Sequence, residues 1–249
     1  MRQIESRGDP AGLLFKEVDL ISHSLSTARQ RALAVTDSDI WQHTGPDYER
    51  ARLRWLDHGE REALLAGLCL VVYGIPQNVS FDGSLSDVML GFLLHDIGKA
   101  ESAEPAVWDL RNDQLTEPQW HGMRQHVAAG EALLARYEAL YDLELPAVVH
   151  DILLYHHEKL DGSGRHAQLN GEHIPFFGRL ATVVDQIIGR CEDRSYHVKS
   201  YTLREAFEEV YSKRGELYDD QILENFLNIF LTSAHLKVSG LGWLGSWYD

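Results

Sequence analysis

Residues 153–175, LLYHHEKLDGSGRHAQLNGEHIP, end an apolar run with His156, His157 and Glu158, directly before a glycine-rich turn. A single histidine in such a place is ordinarily core filler with a satisfied ring. Two consecutive helical residues point in different directions, so both rings are useful only where something at the helix C-terminus draws them together, as a metal ion does. A second stretch, VMLGFLLHDIGKA (88–100), closes an apolar segment with His95 and Asp96 side by side. An ionised carboxylate there is costly to desolvate without a cation, either a metal or the nearby Lys99. The third signal is Asp185 in RLATVVDQIIGR, flanked by valines and isoleucines, where an acid must be paired, protonated or ligating. Together these side chains offer nitrogen and oxygen donors without sulfur. That set suits iron, manganese or another transition ion rather than an all-oxygen calcium site.

The elements that must position these residues read at a period of 3.6, and alternating strand patterns are scarce, so the chain is expected to be all-α. TEPQ (116–119) and TLRE (202–205) have the form of capping boxes, and Pro146 and Pro175 stand where helices begin. The segment KLDGSGRHAQLNGEHI between the last two is longer than an ordinary helix connection, and its place beside the histidines favours function. Near the N-terminus, Leu13, Leu14, Val18, Ile21 and Leu25 form an amphipathic stripe, and TDSDIWQHTGPD then interrupts the helical pattern. The expected organisation is an N-terminal helical extension over residues 1–45 and a helical domain over 46–249. The extension is suited to capping that domain, forming a homodimer or receiving a regulatory protein.

Composition narrows the function classes. With 249 residues and 44% hydrophobic content the chain can build a sizeable core. No apolar run approaches the ~20 residues of a membrane span, and a basic-then-apolar leader is absent, so a cytoplasmic protein is expected. Cys69 and Cys191 form neither a disulfide framework nor a zinc motif. A net charge of −15 argues against nucleic acid polymers and acidic membranes, though not against a small anionic substrate. Thirteen histidines, six of them between His121 and His166, suggest that positive charge in a pocket comes from bound cations.

HDIGK (95–99), HHEKLDGSG (156–164), LNGEHIPFFGRLATVVDQI (169–187) and RSYH (194–197), in this order within about residues 48–230, resemble the HD-GYP subfamily of HD-domain phosphohydrolases. The resemblance implies an HD-domain helical bundle with a long loop near a metal site, and metal-dependent hydrolysis of a cyclic dinucleotide, above all cyclic di-GMP, to the linear dinucleotide and onward to GMP. It assigns Asp96 as the bridge between two metals, with His58, His95 and Asp185 completing one site and His126, His156 and His157 the other. His58 is preferred to His43 because its distance from Gly74 matches the family. His126 is followed four residues later by Gly130, a small residue read as leaving room above the ligand. His150 is read as a core or supporting residue, and Glu158 as an acceptor orienting a histidine ring.

The implied chemistry is a metal-bound hydroxide attacking a clamped phosphodiester in line. Lys99 would point at a phosphate oxygen, and Arg194 matches a family arginine close to the substrate phosphate; each also has an ordinary surface reading. Two departures stand out. The glutamate that trinuclear members carry four residues before the first histidine is replaced by Arg54, so two divalent ions, iron or manganese, are expected. The Gly-Tyr-Pro of the subfamily is also absent: Gly164 is followed by Arg165 and His166. Arg165 either substitutes electrostatically for the lost tyrosine in substrate binding or faces solvent, and the docking of diguanylate cyclases implied by that loop is weakened. A catalytically weak metal-containing sensor or adaptor, and an HD-fold di-iron oxygenase, are the alternative functions.

Overall fold

The structure, a computed structural model, describes residues 10–38, 46–102, 115–192 and 201–233. Arg194 and the rest of RSYH, His43, Trp243 and Trp247 lie outside the described residues. No strand occurs among those described, where the fold is a bundle of helices as the 3.6 period requires.

The core is organised around α3 (Leu85–Leu94), in which every residue from Val88 to Leu94 is buried. A helix apolar on all sides must be covered on all sides. Three helices do so: α1 (Pro10–Thr36), α2 (Pro46–Tyr73) and α7 (Ala147–Tyr155). The start of α3 is fixed by a capping box in which Asp87 accepts from the Ser84 backbone N–H at 2.7 Å, and Asp87 also pairs with Arg31 of α1. Ala28 and Ala32 on α1 are fully buried, so the N-terminal helix approaches closely and joins the common core.

Beyond α3 the chain makes the short α4 (Lys99–Ser102), then α5 (Glu117–Arg124) and α6 (His126–Tyr141), with α6 packed on α4 and α7. The long α8 (Phe176–Cys191) buries Leu180, Val183, Val184, Ile187 and Ile188 against α7, α2 and α9 (Leu203–Tyr211), and α10 (Asp220–Ser233) closes the far side. Each such side chain contributes about 1.5–3 kcal/mol by leaving water. The sequence signals for helix starts hold. Thr202 and Glu205 form a reciprocal capping box, Gln119 accepts from the Thr116 N–H at 2.9 Å, and α7 and α8 begin directly after Pro146 and Pro175. Cys69 and Cys191 are free thiols that burial pushes up to about 12.

Candidate metal centre

Three histidines occupy the same local position, at a helix end with Nδ1 turned back onto the carbonyl three residues earlier. His95 caps the C-terminus of α3 and donates to Phe92 O at 2.6 Å; His156 caps α7 and donates to Leu153 O at 2.8 Å; His126, where α5 gives way to α6, donates to Met123 O at 2.8 Å. Last-turn carbonyls lack an intrahelical partner, and this use of them fixes the tautomer. The bare Nε2 lone pairs are thereby directed into the interior. His126 Nε2 and His156 Nε2 lie only 3.3 Å apart, and the His156 and His157 ring centroids 4.0 Å.

Asp96 lies between these rings. Its Oδ1 is 3.4 Å from His126 Nε2 and 3.9 Å from His156 Nε2, while its Oδ2 is 3.4 Å from His95 Nε2 and accepts from Lys99 Nζ. At the other end, α2 supplies His58 and Glu62 and α8 supplies Asp185. His58 Nε2 stands 2.9 Å from Glu62 Oε1 and 3.6 Å from Asp185 Oδ1, and its Nδ1 lies 2.7 Å from Glu192 Oε1. Asp185 reaches back toward the first end, with Oδ2 3.8 Å from His157 Nδ1.

Two glycines permit this convergence. A Cβ on Gly59 would sit 2.6 Å from Phe92 O, so the turn of α2 carrying His58 and Glu62 abuts the end of α3 that carries His95. A Cβ on Gly98 would sit 1.9 Å from His126 O and 2.2 Å from Gly130 N. The turn after the His95–Asp96 dyad therefore rests directly on the first turn of α6. Gly130 makes room for that backbone contact, rather than for the ring of His126.

The electrostatics divide the site. Burial pushes His126 down to about 4 and His156 down to about 3, and burial together with His156 and His126 holds His157 well below its usual range. These three rings are neutral at physiological pH. His95 behaves oppositely: burial pushes it down, but Glu62 and Asp96 outweigh burial and raise it. Burial also opposes the charges of Asp96 and Asp185. Lys99 with His95 and His126 for the first, and His58, His157 and His156 for the second, hold both carboxyls well below the usual range.

The structure thus brings together His58, His95, Asp96, His126, His156, His157 and Asp185, with Lys99 on the dyad. His150 sits apart, its Nε2 3.2 Å from Glu138 Oε1, and Arg165 is exposed. Sequence reasoning missed Glu62 and Glu192. It also misassigned Glu158, which orients no imidazole: its Oε1 accepts from Ala167 N at 2.8 Å and Gln168 N at 3.1 Å, and its Oε2 from Leu169 N at 2.9 Å. Glu158 is the internal anchor of the long loop. The loop backbone differs from a Gly-Tyr-Pro turn as well, because His166 has φ +90, which a proline ring cannot adopt.

Buried polar atoms test whether this constellation fits a metal. Glu62 Oε1 and Oε2, His95 Nε2 and Asp96 Oδ1 have no hydrogen-bond partner, a costly condition for groups taken out of water. Three sets of donor atoms each converge within 4.8 Å: His126, His156 and His157; His95, Asp96 and His156; and His58, Glu62, His95 and Asp185. Imidazole and carboxylate donors at this spacing fit divalent transition ions.

Such a cluster of possible metal donors, at the ends of buried helices in an all-α bundle, is the kind of site an HD-type fold builds. A family model described as HD domain matches residues 71–222, more than half of the chain, and the chain belongs to that family. It is 31% identical to a cyclic di-GMP phosphodiesterase of Thermotoga maritima over 69% of this chain and 44% of the relative. It is 29% identical to the cyclic di-GMP phosphodiesterase response regulator RpfG of Xanthomonas campestris over 68% and 41%, and 27% identical to 3'3'-cGAMP-specific phosphodiesterase 2 of Vibrio cholerae over 87% and 37%. The chain spans less than half the length of these curated relatives. No helix among the described residues is long and apolar enough to cross a membrane.

Proposed function

We propose that the protein is a metal-dependent phosphodiesterase that opens a cyclic dinucleotide, cyclic di-GMP first, to the linear dinucleotide. The observation that carries this reading is the gathering of three neutral imidazoles, His126, His156 and His157, with the buried carboxylates of Asp96 and Asp185. Bound cations would stabilise such an arrangement, and it occurs in a chain whose relatives are named for cyclic di-GMP and cGAMP hydrolysis. His58, His95 and Asp185 would hold one divalent ion and His126, His156 and His157 a second, with one oxygen of Asp96 directed to each; iron and manganese suit the donors best. When bound, such ions lower the pKa of a water and polarise a phosphodiester oxygen.

The protein's own residues do the rest. Asp96 fixes the spacing of the two donor sets, and the backbone carbonyls of Phe92, Met123 and Leu153 hold three rings in the ligating tautomer. Lys99, ion-paired with Asp96 and partly exposed, is assigned to a phosphate oxygen, where its charge would offset the charge that builds in the transition state. His157 retains 20% side-chain exposure, so the centre opens on its side, next to the loop anchored by Glu158. Arg165 on that loop, and Arg194 beyond the described residues, are assigned to the substrate phosphates. With this reading goes a division near residue 45 into a helical extension and the catalytic bundle. Half-exposed Leu20 on α1 belongs to the extension assigned to a second copy or a regulator, and the loop anchored by Glu158 is the part assigned to a diguanylate cyclase.

The test is hydrolysis of cyclic di-GMP by protein loaded anaerobically with Fe2+ or Mn2+, with products resolved by chromatography. Linear dinucleotide formed by the wild type and lost in Asp96→Ala is the expected result. Full activity in Asp96→Ala would remove the assignment. Metal binding without turnover of cyclic di-GMP or cGAMP would favour a sensor or adaptor.

A further inference from the structure

Glu62 is 1% exposed, and neither of its carboxylate oxygens has a hydrogen-bond partner. A buried, uncompensated carboxylate costs several kcal/mol, so its neighbours must explain it. Oε1 lies 2.9 Å from His58 Nε2 and Oε2 lies 3.5 Å from His95 Nδ1. The proton of His95 Nδ1 is committed to Phe92 O. On its other side His58 Nδ1 lies 2.7 Å from Glu192 Oε1. His58 Nε2 faces two carboxylates, Glu62 Oε1 at 2.9 Å and Asp185 Oδ1 at 3.6 Å, and His58, Glu62, His95 and Asp185 bring one possible ligand atom each within 4.8 Å of one another.

We infer that Glu62 is a further protein ligand of the ion held by His58, His95 and Asp185. The inference rests on the metal reading of the site and deepens it. Glu62 stands one helical turn after His58, on the same face of α2, whereas Arg54, one turn before, is exposed. Gly59 brings that turn of α2 against the end of α3, so that Glu62 and His95 meet. Both His58 and Glu62 precede the segment matched by the family model.

The consequence is a division of labour. Glu62 and Asp185 together would offset the charge of a divalent ion at this end and hold it tightly. The ion among His126, His156 and His157 shares only Asp96 with its neighbour. Three neutral imidazoles there would leave such an ion more of its positive charge for a phosphodiester.

The experiment is Mn2+ titration of the chelator-stripped full chain by calorimetry, with bound metal counted after dialysis, in wild type and in Glu62→Gln. Thermal unfolding of both metal-free proteins accompanies it. Glu62→Gln should weaken the tighter Mn2+ site at least ~10-fold, taking bound metal from about two toward about one per chain, while the metal-free variant unfolds at the same temperature or higher. Wild-type Mn2+ affinity in Glu62→Gln would overturn the inference alone. A metal-free variant less stable than wild type with Mn2+ binding unchanged would do the same, showing Glu62 to be a structural partner of His58. A wild-type chain that takes up no Mn2+ would overturn the metal reading with it. Should Glu62→Gln not fold, Glu62→Asp serves, because a carboxylate withdrawn by one methylene must also weaken the site, and unchanged affinity in it sinks the idea.

Discussion

His126 Nε2 and His156 Nε2 face each other at 3.3 Å inside the bundle, with both Nδ1 atoms committed to the carbonyls of Met123 and Leu153. No proton is left to join the two nitrogens unless one ring becomes charged, and burial keeps both rings neutral. The pair is a contact of two lone pairs that a cation between them converts from repulsive to favourable.

Metal should therefore stabilise this fold strongly. A ligand present at a hundred times its dissociation constant adds about 2.7 kcal/mol, which for a chain of this size raises the unfolding temperature by about 5–10 °C. Differential scanning fluorimetry with Mn2+ against chelator checks this. An equal shift in His126→Ala, which removes one of the facing nitrogens, would contradict it.

The two ends of the centre should titrate differently. His126 and His156 have folded values of about 4 and about 3, below the unfolded value of about 6.5. The unfolded chain then binds more protons between these values, so their contribution to metal-free stability is present above about pH 6.5 and is lost as pH falls toward about 4. His95 is raised, so its contribution is present at lower pH and lost as pH rises through its folded value. For metal the consequence is a two-step release. Protons compete at the His95 end at higher pH than at the His126 end, where they do so only near about pH 4. Calorimetric Mn2+ titrations between about pH 8 and about pH 5 should show one affinity falling and the other steady.

Lys99→Met should retain metal and lose turnover, by ~10²-fold or more, because a cation aimed at developing phosphate charge is removed. Metal analysis and steady-state kinetics on one preparation separate the two effects. An unchanged rate would leave Lys99 as only the counter-ion of Asp96.

Glu158→Ala should release the loop while sparing the metals. Three backbone N–H groups lose their acceptor, at a cost of about 1–3 kcal/mol each where they stay buried. Faster proteolytic nicking between residues 164 and 170, a raised KM and wild-type metal content are expected. Loss of metal would show instead that the loop and the centre form one unit.

Gly98→Ala should be among the most damaging small substitutions in the chain. Its added carbon would meet the His126 carbonyl at 1.9 Å, so the dyad and α6 must separate. Overpacking of this kind costs about 1–3 kcal/mol or more, and here it also splits the ligand set. A lowered unfolding temperature together with lost Mn2+ binding is the expected pair of results.

Local chemistry made much of this legible before any coordinates. Prolines at helix starts, capping boxes and a 3.6 period act within a few residues, so the helices around His126, His156 and Asp185 could be drawn from the sequence. The histidines and aspartates stood out because charge and imidazole are anomalous in apolar runs such as VMLGFLLHD and ATVVDQII. The resemblance to HD-GYP proteins then supplied which of them meet, including His58.

Glu62 did not stand out. In HGEREALLAG it reads as an ordinary exposed glutamate on an amphipathic helix, where such residues usually lie. Its burial follows from Gly59, which lets α2 close onto α3. Glu192 pairs with His58 across 134 residues, a contact set by how α2 and α8 cross and by nothing near either residue. Glu158, beside two histidines, looked like their partner, yet its carboxylate turns away to three loop amides. The sequence by itself determined which helix faces are apolar and which residues on them are chemically out of place, because those properties are local. Only the tertiary structure decided which oxygens and nitrogens meet without a proton between them, because interhelical approach depends on packing at positions remote in the chain.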